Sequence, residues 1–380
     1  MAGPQGRSLE ALRMRGLKSV AAPGILQGVL KTVCLISRTF LVVLVCCASV
    51  RAANSEPAAV SVRSQSAPRA RVAIAEDLGS ISTFNPDAGR VEQLLNRSLL
   101  IFTGKATREM AWRGLVSSND IVGVKVVSGP GGSSGTRPSV VAAIVKGLID
   151  SGHPRQKIVI WDKHRTDLAR AGYVELARRL GVEVISSFEE GYDDDAFYDT
   201  ALLGKLVWGD HDFGKNTDTT GRRSYVSRLI TKRLTKIVNV TPLLNHNLAG
   251  VSGNLHTLAM DSVDNTIRFE SSPEHLAQAV PEIYALEALG DKVVLNVVDA
   301  LICQYQGEER SLLHYSTMLG QIRISTDPVA LDTLSIDEIE SQRLTHKIEA
   351  PKPNMKIYTN AHLLELGVGK TNHIDIIRSP

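Results

Sequence analysis

The sequence predicts an α/β protein with a mostly parallel central sheet, βαβ crossovers and helices on both faces. Between residues 120 and 186, short apolar segments alternate with helical ones. The strands are predicted at 120–127, 157–162 and 182–185, and the helices at 139–149 and 166–180. This order favours parallel strands joined by right-handed crossovers. The 380 residues, 43% apolar and 22% charged, provide ample material for a core.

The remaining elements are predicted from the same patterns. Pro242 should end the strand that starts at Ile237, because proline cannot donate to a sheet ladder. Thr326 or Asp327 should cap a helix that begins at Pro328. Further strands are predicted at 71–75, 237–240, 292–299 and 320–325, and further helices at 90–101 and 274–289.

The first 52 residues have the pattern of a secretory signal peptide. Lys31 and Arg38 precede an apolar run at 40–50, and Val50 and Ala52 stand at the −3 and −1 positions of a cleavage site after Ala52. The run is shorter than the roughly 20 residues that span a bilayer. We therefore expect an exported, periplasmic or extracellular protein without a membrane span after cleavage. The alternative is an uncleaved N-terminal anchor.

A flexible leader is predicted at 53–70, because this segment is small, polar and contains proline. Residues 71–380 are predicted to form a single α/β globular domain.

Charge and cysteine content exclude several classes of protein. The formal net charge is +3, but residues 1–52 hold seven basic side chains and one acidic side chain, so the rest has a net charge of −3. Nucleic-acid binding is therefore not indicated. Three of the four cysteines lie in residues 1–52, which leaves only Cys303. One cysteine cannot form an intrachain disulfide, a cysteine zinc site or an iron–sulfur cluster.

The richest concentration of polar side chains follows the strand at 237–240. His246, Asn254 and two glycines stand within a short stretch there, and open α/β sheets bind ligands at the carboxyl ends of their strands. We predict a catalytic set of Lys125, His246 and Asn254. Histidine would act as a general base, and lysine or asparagine would stabilise an oxyanion.

A glycine-rich loop at 129–135 joins a predicted strand to a predicted helix. The N-terminus of a helix favours anions, so this loop suggests a small, anionic ligand. The spacing matches neither the dinucleotide fingerprint nor the Walker A phosphate-binding loop of nucleoside triphosphatases, and a flexible turn between strand and helix is the alternative. The predicted ligand-binding residues are Gly129, Gly131, Gly132, Arg137 and Asn247.

Asp162, His164 and Asp299 stand at the ends of predicted strands. Their oxygen and nitrogen ligands suit a divalent metal, so they form the predicted metal set, with the cofactor itself left open. We expect parallel strands to bring Lys125, Asp162, His246 and Asp299 into one crevice.

The order of several segments resembles the domain of unknown function family 362. The resemblance extends over roughly residues 71–340, so that 341–380 would be a C-terminal extension. It rests on Asp120–Lys125, Arg137–Val141, Ile158–Asp162, Ile237–Leu258, Val298–Leu301 and Asp327–Asp332.

The resemblance implies an α/β fold and no established reaction. Some members carry a ferredoxin-like cysteine extension, which this chain lacks. The family's usual lysine before the central histidine is replaced here by Asn245, and His256-Thr257 stand near its Lys-Asn position. Lys125 matches the lysine of the family's first strand.

Two functions from different classes stay open. The first is an exported enzyme of unknown reaction whose site lies at the strand ends, either with or without the assistance of a metal ion. The second is a non-catalytic module that binds a small anionic ligand at the Gly129–Gly135 loop. The sequence lacks the fingerprints of nicotinamide oxidoreductases and of G-x-S-x-G hydrolases, and it does not predict an oligomeric state.

Overall fold

Eight strands lie side by side in the central sheet, and a ninth, short strand pairs with one of them. The computed structural model describes residues 69–215 and 219–379, so the predicted signal peptide and nearly all of the predicted leader lie outside the described residues. The strands are β1 (Ala70–Glu76), β2 (Ile81–Ser82), β3 (Asn85–Pro86), β4 (Val122–Lys125), β5 (Ile158–Asp162), β6 (Glu183–Ser186), β7 (Tyr192–Lys205), β8 (Thr220–Ser227), β9 (Lys236–His246), β10 (Gly250–Val251), β11 (Val293–Gln304), β12 (Ser316–Ser325) and β13 (Ile374–Arg378).

The helices separate most of these strands along the chain. They are α1 (Ala88–Thr103), α2 (Arg108–Leu115), α3 (Gly131–Ser134), α4 (Pro138–Asp150), α5 (Arg165–Arg170), α6 (Tyr173–Leu180), α7 (Asn254–Ser262), α8 (Ile267–Glu270), α9 (Pro273–Tyr284), α10 (Pro328–Thr345) and α11 (Lys356–Leu363). None of the helices in the described part of the chain is both long enough and apolar enough to cross a membrane.

The strand order in the sheet is β13-β1-β12-β11-β9-β4-β5-β6. Neighbours pair in parallel except where β12 lies between β1 and β11. Two apolar cores cover the two faces. One contains Leu94, Trp112 and Ile144 from α1, α2 and α4, and the other contains Leu258 and Val280 from α7 and α9. The predicted α/β class with a mostly parallel sheet is therefore confirmed.

The chain reverses its direction of travel across the sheet next to β4. From β4 it moves outward to β5 and β6, and it then returns to the other side of β4 to form β9 and β11. The carboxyl ends of β4 and β9 therefore form a topological switch point. The connections that follow β4 and β9 leave the sheet in opposite directions there, and a crevice opens between them.

Pro242 does not end the central strand as predicted. β9 continues from Lys236 to His246, and Pro242 lies opposite Asp299 of β11. The register between β9 and β11 shifts directly after this pair, between Asp299 and Cys303. A proline is tolerated at such an irregularity, because the ladder is interrupted there in any case.

Two further predictions about elements were wrong. The single helix predicted at 166–180 is two helices, because Gly172 separates α5 from α6 with a φ of 87°. No helix or strand is predicted between residues 187 and 235, yet β7 and β8 pair there as an antiparallel sheet of their own. The charged side chains of β7 hid its strand pattern, since Asp193, Asp194 and Asp195 follow one another without alternation.

Candidate functional site

A cavity of about 580 Å³ opens at the switch point of the sheet. Its wall includes Val127 two residues after β4, Asp162 at the end of β5 and His246 at the end of β9. Residues 307–310, which follow β11, form another part of the wall. The volume falls within the range of about 300–1,000 Å³ that is usual for small-molecule sites.

Helix α7 supplies one side of this cavity. His256, Thr257, Met260 and Asp261 all line it. They form two adjacent pairs, 256–257 and 260–261, that lie about one helical turn apart, so the helical period places them on one face. The start of α7 therefore determines where two ionisable side chains of the wall lie.

Asp332, from the interior of α10, holds the first turn of α7. Its Oδ1 accepts from the Asn254 backbone N at 2.7 Å and from Asn254 Nδ2 at 2.9 Å, and its Oδ2 accepts from the Leu255 backbone N at 3.0 Å. Burial raises the pKa of Asp332 to about 6, although these donors act to lower it. A Cβ on Gly253 would lie 2.3 Å from Asp332 Oδ1, so only glycine leaves room for this contact. Asn254, predicted to be catalytic, is thus fully buried in this contact and does not line the cavity.

Lys125 lies beneath the cavity, fully buried at the end of β4. Its Nζ is 2.9 Å from Asp162 Oδ1 and 2.8 Å from Asp261 Oδ2, and it donates to the Val126 carbonyl oxygen. Asp162 also accepts from the backbone N of Ser128 at 2.7 Å and from its hydroxyl at 2.5 Å. Lys125 therefore joins β5 and α7 from below, and both of its carboxylates line the cavity.

The two carboxylates next to Lys125 differ in their acidity. Burial alone would raise the pKa of Asp162, but Lys125 and Ser128 outweigh it and keep that pKa below its usual range. Burial and the neighbouring Asp162 raise the pKa of Asp261 more than Lys125 lowers it. Burial acts to lower the pKa of Lys125, but the two carboxylates outweigh it, so Lys125 stays charged. Asp162 is thus the ionised structural member of the pair, and Asp261 binds a proton more readily.

Two histidine rings meet in the wall of the cavity. The centroids of His246 and His256 are 4.3 Å apart, with an interplanar angle of 49°. Nδ1 of His246 accepts from the backbone N of Leu248 at 3.3 Å and of Ala249 at 3.0 Å. His256 is only 9% exposed, and neither of its ring nitrogens has a hydrogen-bond partner among the described residues. Burial lowers the pKa of both histidines, and it lowers that of His256 further, with help from His246 and Lys125.

Acidic side chains dominate the rest of the wall. Six carboxylates line the cavity, against the two basic side chains of Lys163 and Arg310. The Lys163 ammonium already donates to the Met260 carbonyl oxygen at 3.0 Å and to Thr266 Oγ1 at 3.3 Å. Burial and the nearby charges of Asp261 and Asp162 raise the pKa of Glu309. The six carboxylates are Asp162, Asp167, Asp261, Glu270, Glu308 and Glu309.

The predicted anion-binding set is only partly brought to this cavity. Gly129 lines it, whereas Gly131, Gly132 and Asn247 do not. The guanidinium of Arg137 is buried, with Nη1 2.9 Å from Asp299 Oδ1 and Nη2 3.0 Å from the Ser133 carbonyl oxygen. The positive charge of Arg137 is thus compensated within the fold.

The predicted metal set is not assembled either. Asp162 and His164 line the cavity, but Asp299 is buried against Arg137, whose backbone N donates to Asp299 Oδ2 at 2.8 Å. Within residues 69–215 and 219–379, no group of three or more His, Cys, Asp or Glu side chains is arranged to hold a metal ion. Of the four residues expected in one crevice, Asp162 and His246 line it, Lys125 lies beneath it, and Asp299 lies outside it.

Several wall residues were not among the predicted site residues. His256, Asp261 and Thr257 could have been found from the helical spacing of polar positions within the otherwise apolar segment 254–263. Glu270, Glu308 and Glu309 had no such signal. Their segments reach the cavity only because α8 and the loop after β11 fold over the sheet edge.

These features define an open-sheet α/β protein with a polar, acidic cavity at its switch point. The chain belongs to the domain of unknown function family 362, because the family profile, described as "Domain of unknown function (DUF362)", matches residues 122–337. The resemblance predicted from the sequence is therefore confirmed, and every residue that lines the cavity lies within the matched range.

No curated protein matches the chain. Among solved structures, the chain is similar to a Thermotoga maritima protein, with a TM-score of 0.39 and 10% sequence identity. The similarity covers 70% of this chain and 61% of that protein, so the chain spans less than two thirds of that protein's length.

Proposed function

We propose that the chain is an enzyme that transfers a proton to or from a small polar substrate in the switch-point cavity. The observation that carries this proposal is the contact between His246 and His256, 4.3 Å apart in the cavity wall. A buried imidazole without a hydrogen-bond partner, such as that of His256, is costly to a fold, and groups with shifted pKa values concentrate at catalytic sites.

His246 is suited to donate a proton. Because its Nδ1 accepts two backbone N–H groups, the neutral ring must carry its hydrogen on Nε2. The lowered pKa of His246 favours this neutral form at pH 7. A substrate oxygen in the cavity would therefore meet an N–H donor of fixed tautomer, which is the role of an acid or of an oxyanion-stabilising group.

His256 is suited to accept a proton. Its pKa lies well below the usual value because of burial, so one ring nitrogen is free to act as a base near neutral pH. Protonated His256 would lie close to Lys125 and Lys163, whose charges oppose it. That repulsion would return the proton quickly to the product.

Lys125 acts as a positioning residue in this proposal. It fixes Asp261 on the same helical face as His256 and is itself out of reach of the cavity. The predicted catalytic role of Lys125 is thereby replaced by an indirect one, and the substrate meets Asp261 instead.

The experiment is an incubation of the purified chain with a metabolite extract, followed by untargeted mass spectrometry. We expect at least one compound to be consumed by the wild-type chain and to persist with His256→Leu. Arg113 lies away from the cavity, so Arg113→Lys serves as the control variant that should consume the same compound as the wild-type chain. An extract that the wild-type chain leaves unchanged, or that His256→Leu changes equally, would overturn the proposal.

We also propose that the chain is exported. It is supported by Lys31, Arg38 and the apolar run 40–50 of the sequence. Sequencing the N-terminus of the mature protein would test it, with Ala53 as the expected first residue.

A further inference from the structure

We infer that the substrate of the switch-point cavity is a small organic cation, such as a protonated amine, whose charged group lies against Asp261, Glu270 and Glu309. This inference rests on the proposed function and adds the substrate class to it. The wall holds four more carboxylates than basic side chains. An anionic ligand, as expected from the glycine loop, would meet this negative field.

The negative charge is not compensated within the fold. The carboxylates of Glu270 and Glu309 line the cavity without an ion pair or a side-chain hydrogen bond among the described residues, and the charges that act on Glu309 are those of other carboxylates. Asp261 has Lys125 as its counter-charge, but Lys125 is shared with Asp162. The basic groups near these carboxylates are Lys125, which is shared with Asp162, and the wall residues Lys163 and Arg310. The six wall carboxylates outnumber these three basic groups, and a bound cation would restore the balance.

A second observation points to a ligand at the same place. His256 is nine-tenths buried in the cavity wall, and both of its ring nitrogens lack a partner among the described residues. Buried polar groups are nearly always paired, so a substrate atom is the natural partner for His256. The acidic wall and the unpaired ring thus describe two ends of one ligand: a cationic end and a reacting end.

The size of the cavity favours an organic cation over a bare metal ion. A volume of about 580 Å³ accommodates a small molecule. Within the described ranges, no three suitable side chains converge on one point as metal ligands must. Carboxylates spread around a wall match an ammonium or guanidinium group, which donates hydrogen bonds in several directions.

The experiment is isothermal titration of the purified chain with matched four-carbon probes and with arginine-like guanidines. The four-carbon probes are n-butylamine, 1,4-diaminobutane, 1,4-butanediol and succinate, and CaCl₂ is added to test a bare metal ion. We expect an amine or guanidine to bind, and the neutral diol and the dicarboxylate to fail. Glu309→Gln should weaken amine binding at least about fivefold, since it removes a charge-assisted contact. Glu349→Gln, an exposed carboxylate outside the cavity, should leave it unchanged.

Three results would overturn the inference. Succinate could bind more tightly than any amine, calcium could bind while no amine or guanidine does, or Glu309→Gln could leave amine binding intact. Failure of the proposed function looks different. In that case amines would still bind in a Glu309-dependent manner, but no compound would be consumed in a His256-dependent manner. Conversely, His256-dependent consumption of a neutral or anionic compound would support the proposed enzymatic function and contradict the inferred cationic substrate.

Discussion

The ammonium of Lys125 lies 2.8 Å from the carboxylate of Asp261, and this contact ties the end of β4 to the middle of α7. Replacing Lys125 with methionine would leave Asp162 and Asp261 buried side by side without a counter-charge. We expect Lys125→Met to lower the free energy of unfolding by about 3–5 kcal/mol, the usual effect of breaking a buried ion pair on one side. Urea denaturation monitored by circular dichroism measures it.

A matched control for this variant is Lys146→Met. Lys146 pairs with Glu92 at the surface, where ion pairs contribute about 0–1 kcal/mol. Similar small losses for both lysines would contradict the assigned role of Lys125.

Gly253 must remain glycine because Asp332 occupies the space that a side chain would need. A Cβ at Gly253 would lie 2.3 Å from Asp332 Oδ1. We expect Gly253→Ala to destabilise the chain by about 2 kcal/mol or more, since the cap of α7 must shift. By contrast, Gly114→Ala in α2 meets only the Lys105 side chain at 3.8 Å and should stabilise the chain by about 0.5–1 kcal/mol. Thermal unfolding of the two variants compares them directly.

Asp332 should make stability depend on pH in a specific direction. Its pKa is raised to about 6 in the fold, from an ordinary value of 3.8. Its contribution to stability is therefore fully present below pH 3.8 and is lost as the pH rises through 6. Asp332→Asn removes this titration. The difference in the free energy of unfolding, wild type minus variant, should therefore increase by about 2–3 kcal/mol from pH 7 to pH 4. A difference that decreases over this range would show that Asp332 is ionised when buried.

His256 should be dispensable for folding although it is buried. Neither ring nitrogen has a partner among the described residues, so His256→Leu removes unpaired polar atoms and should leave stability unchanged or raise it by about 1 kcal/mol. Because the pKa of His256 is lowered in the fold, the wild-type chain should also lose stability as the pH falls below about 6.5, and the variant should lose less. Denaturant midpoints at pH 7.5 and pH 5.5 test both expectations.

His246→Leu provides the contrast. It removes the acceptor of the Leu248 and Ala249 backbone N–H groups and should cost about 1–3 kcal/mol. If His256→Leu proved as damaging as His246→Leu, His256 would have a structural role that its surroundings do not reveal.

The sequence predicted the parallel part of the sheet well because these strands are short, apolar and separated by helical segments. β5 was expected at 157–162 and spans Ile158–Asp162, and α4 was expected at 139–149 and spans Pro138–Asp150. Asp162 and His246 were found as wall residues for the same reason: each stands at the carboxyl end of such a strand.

The remainder of the site depends on contacts between distant segments, which single-sequence patterns do not encode. Asn254 was expected in the cavity because of its type, but Asp332, 78 positions away, draws it into a cap. Asp299 was likewise expected as a ligand, but Arg137 neutralises it. In both cases a polar residue of suitable chemistry met a partner that could be identified only from the fold.

At the far edge of the sheet, β13 pairs with β1 in parallel, with Ile374 opposite Ala70. β13 therefore runs along the outer border of β1 and pairs with its backbone groups from Ala70 to Ile74. Removal of the final ten residues would bare the backbone of β1 along its length, and that open border would invite self-association through strand addition.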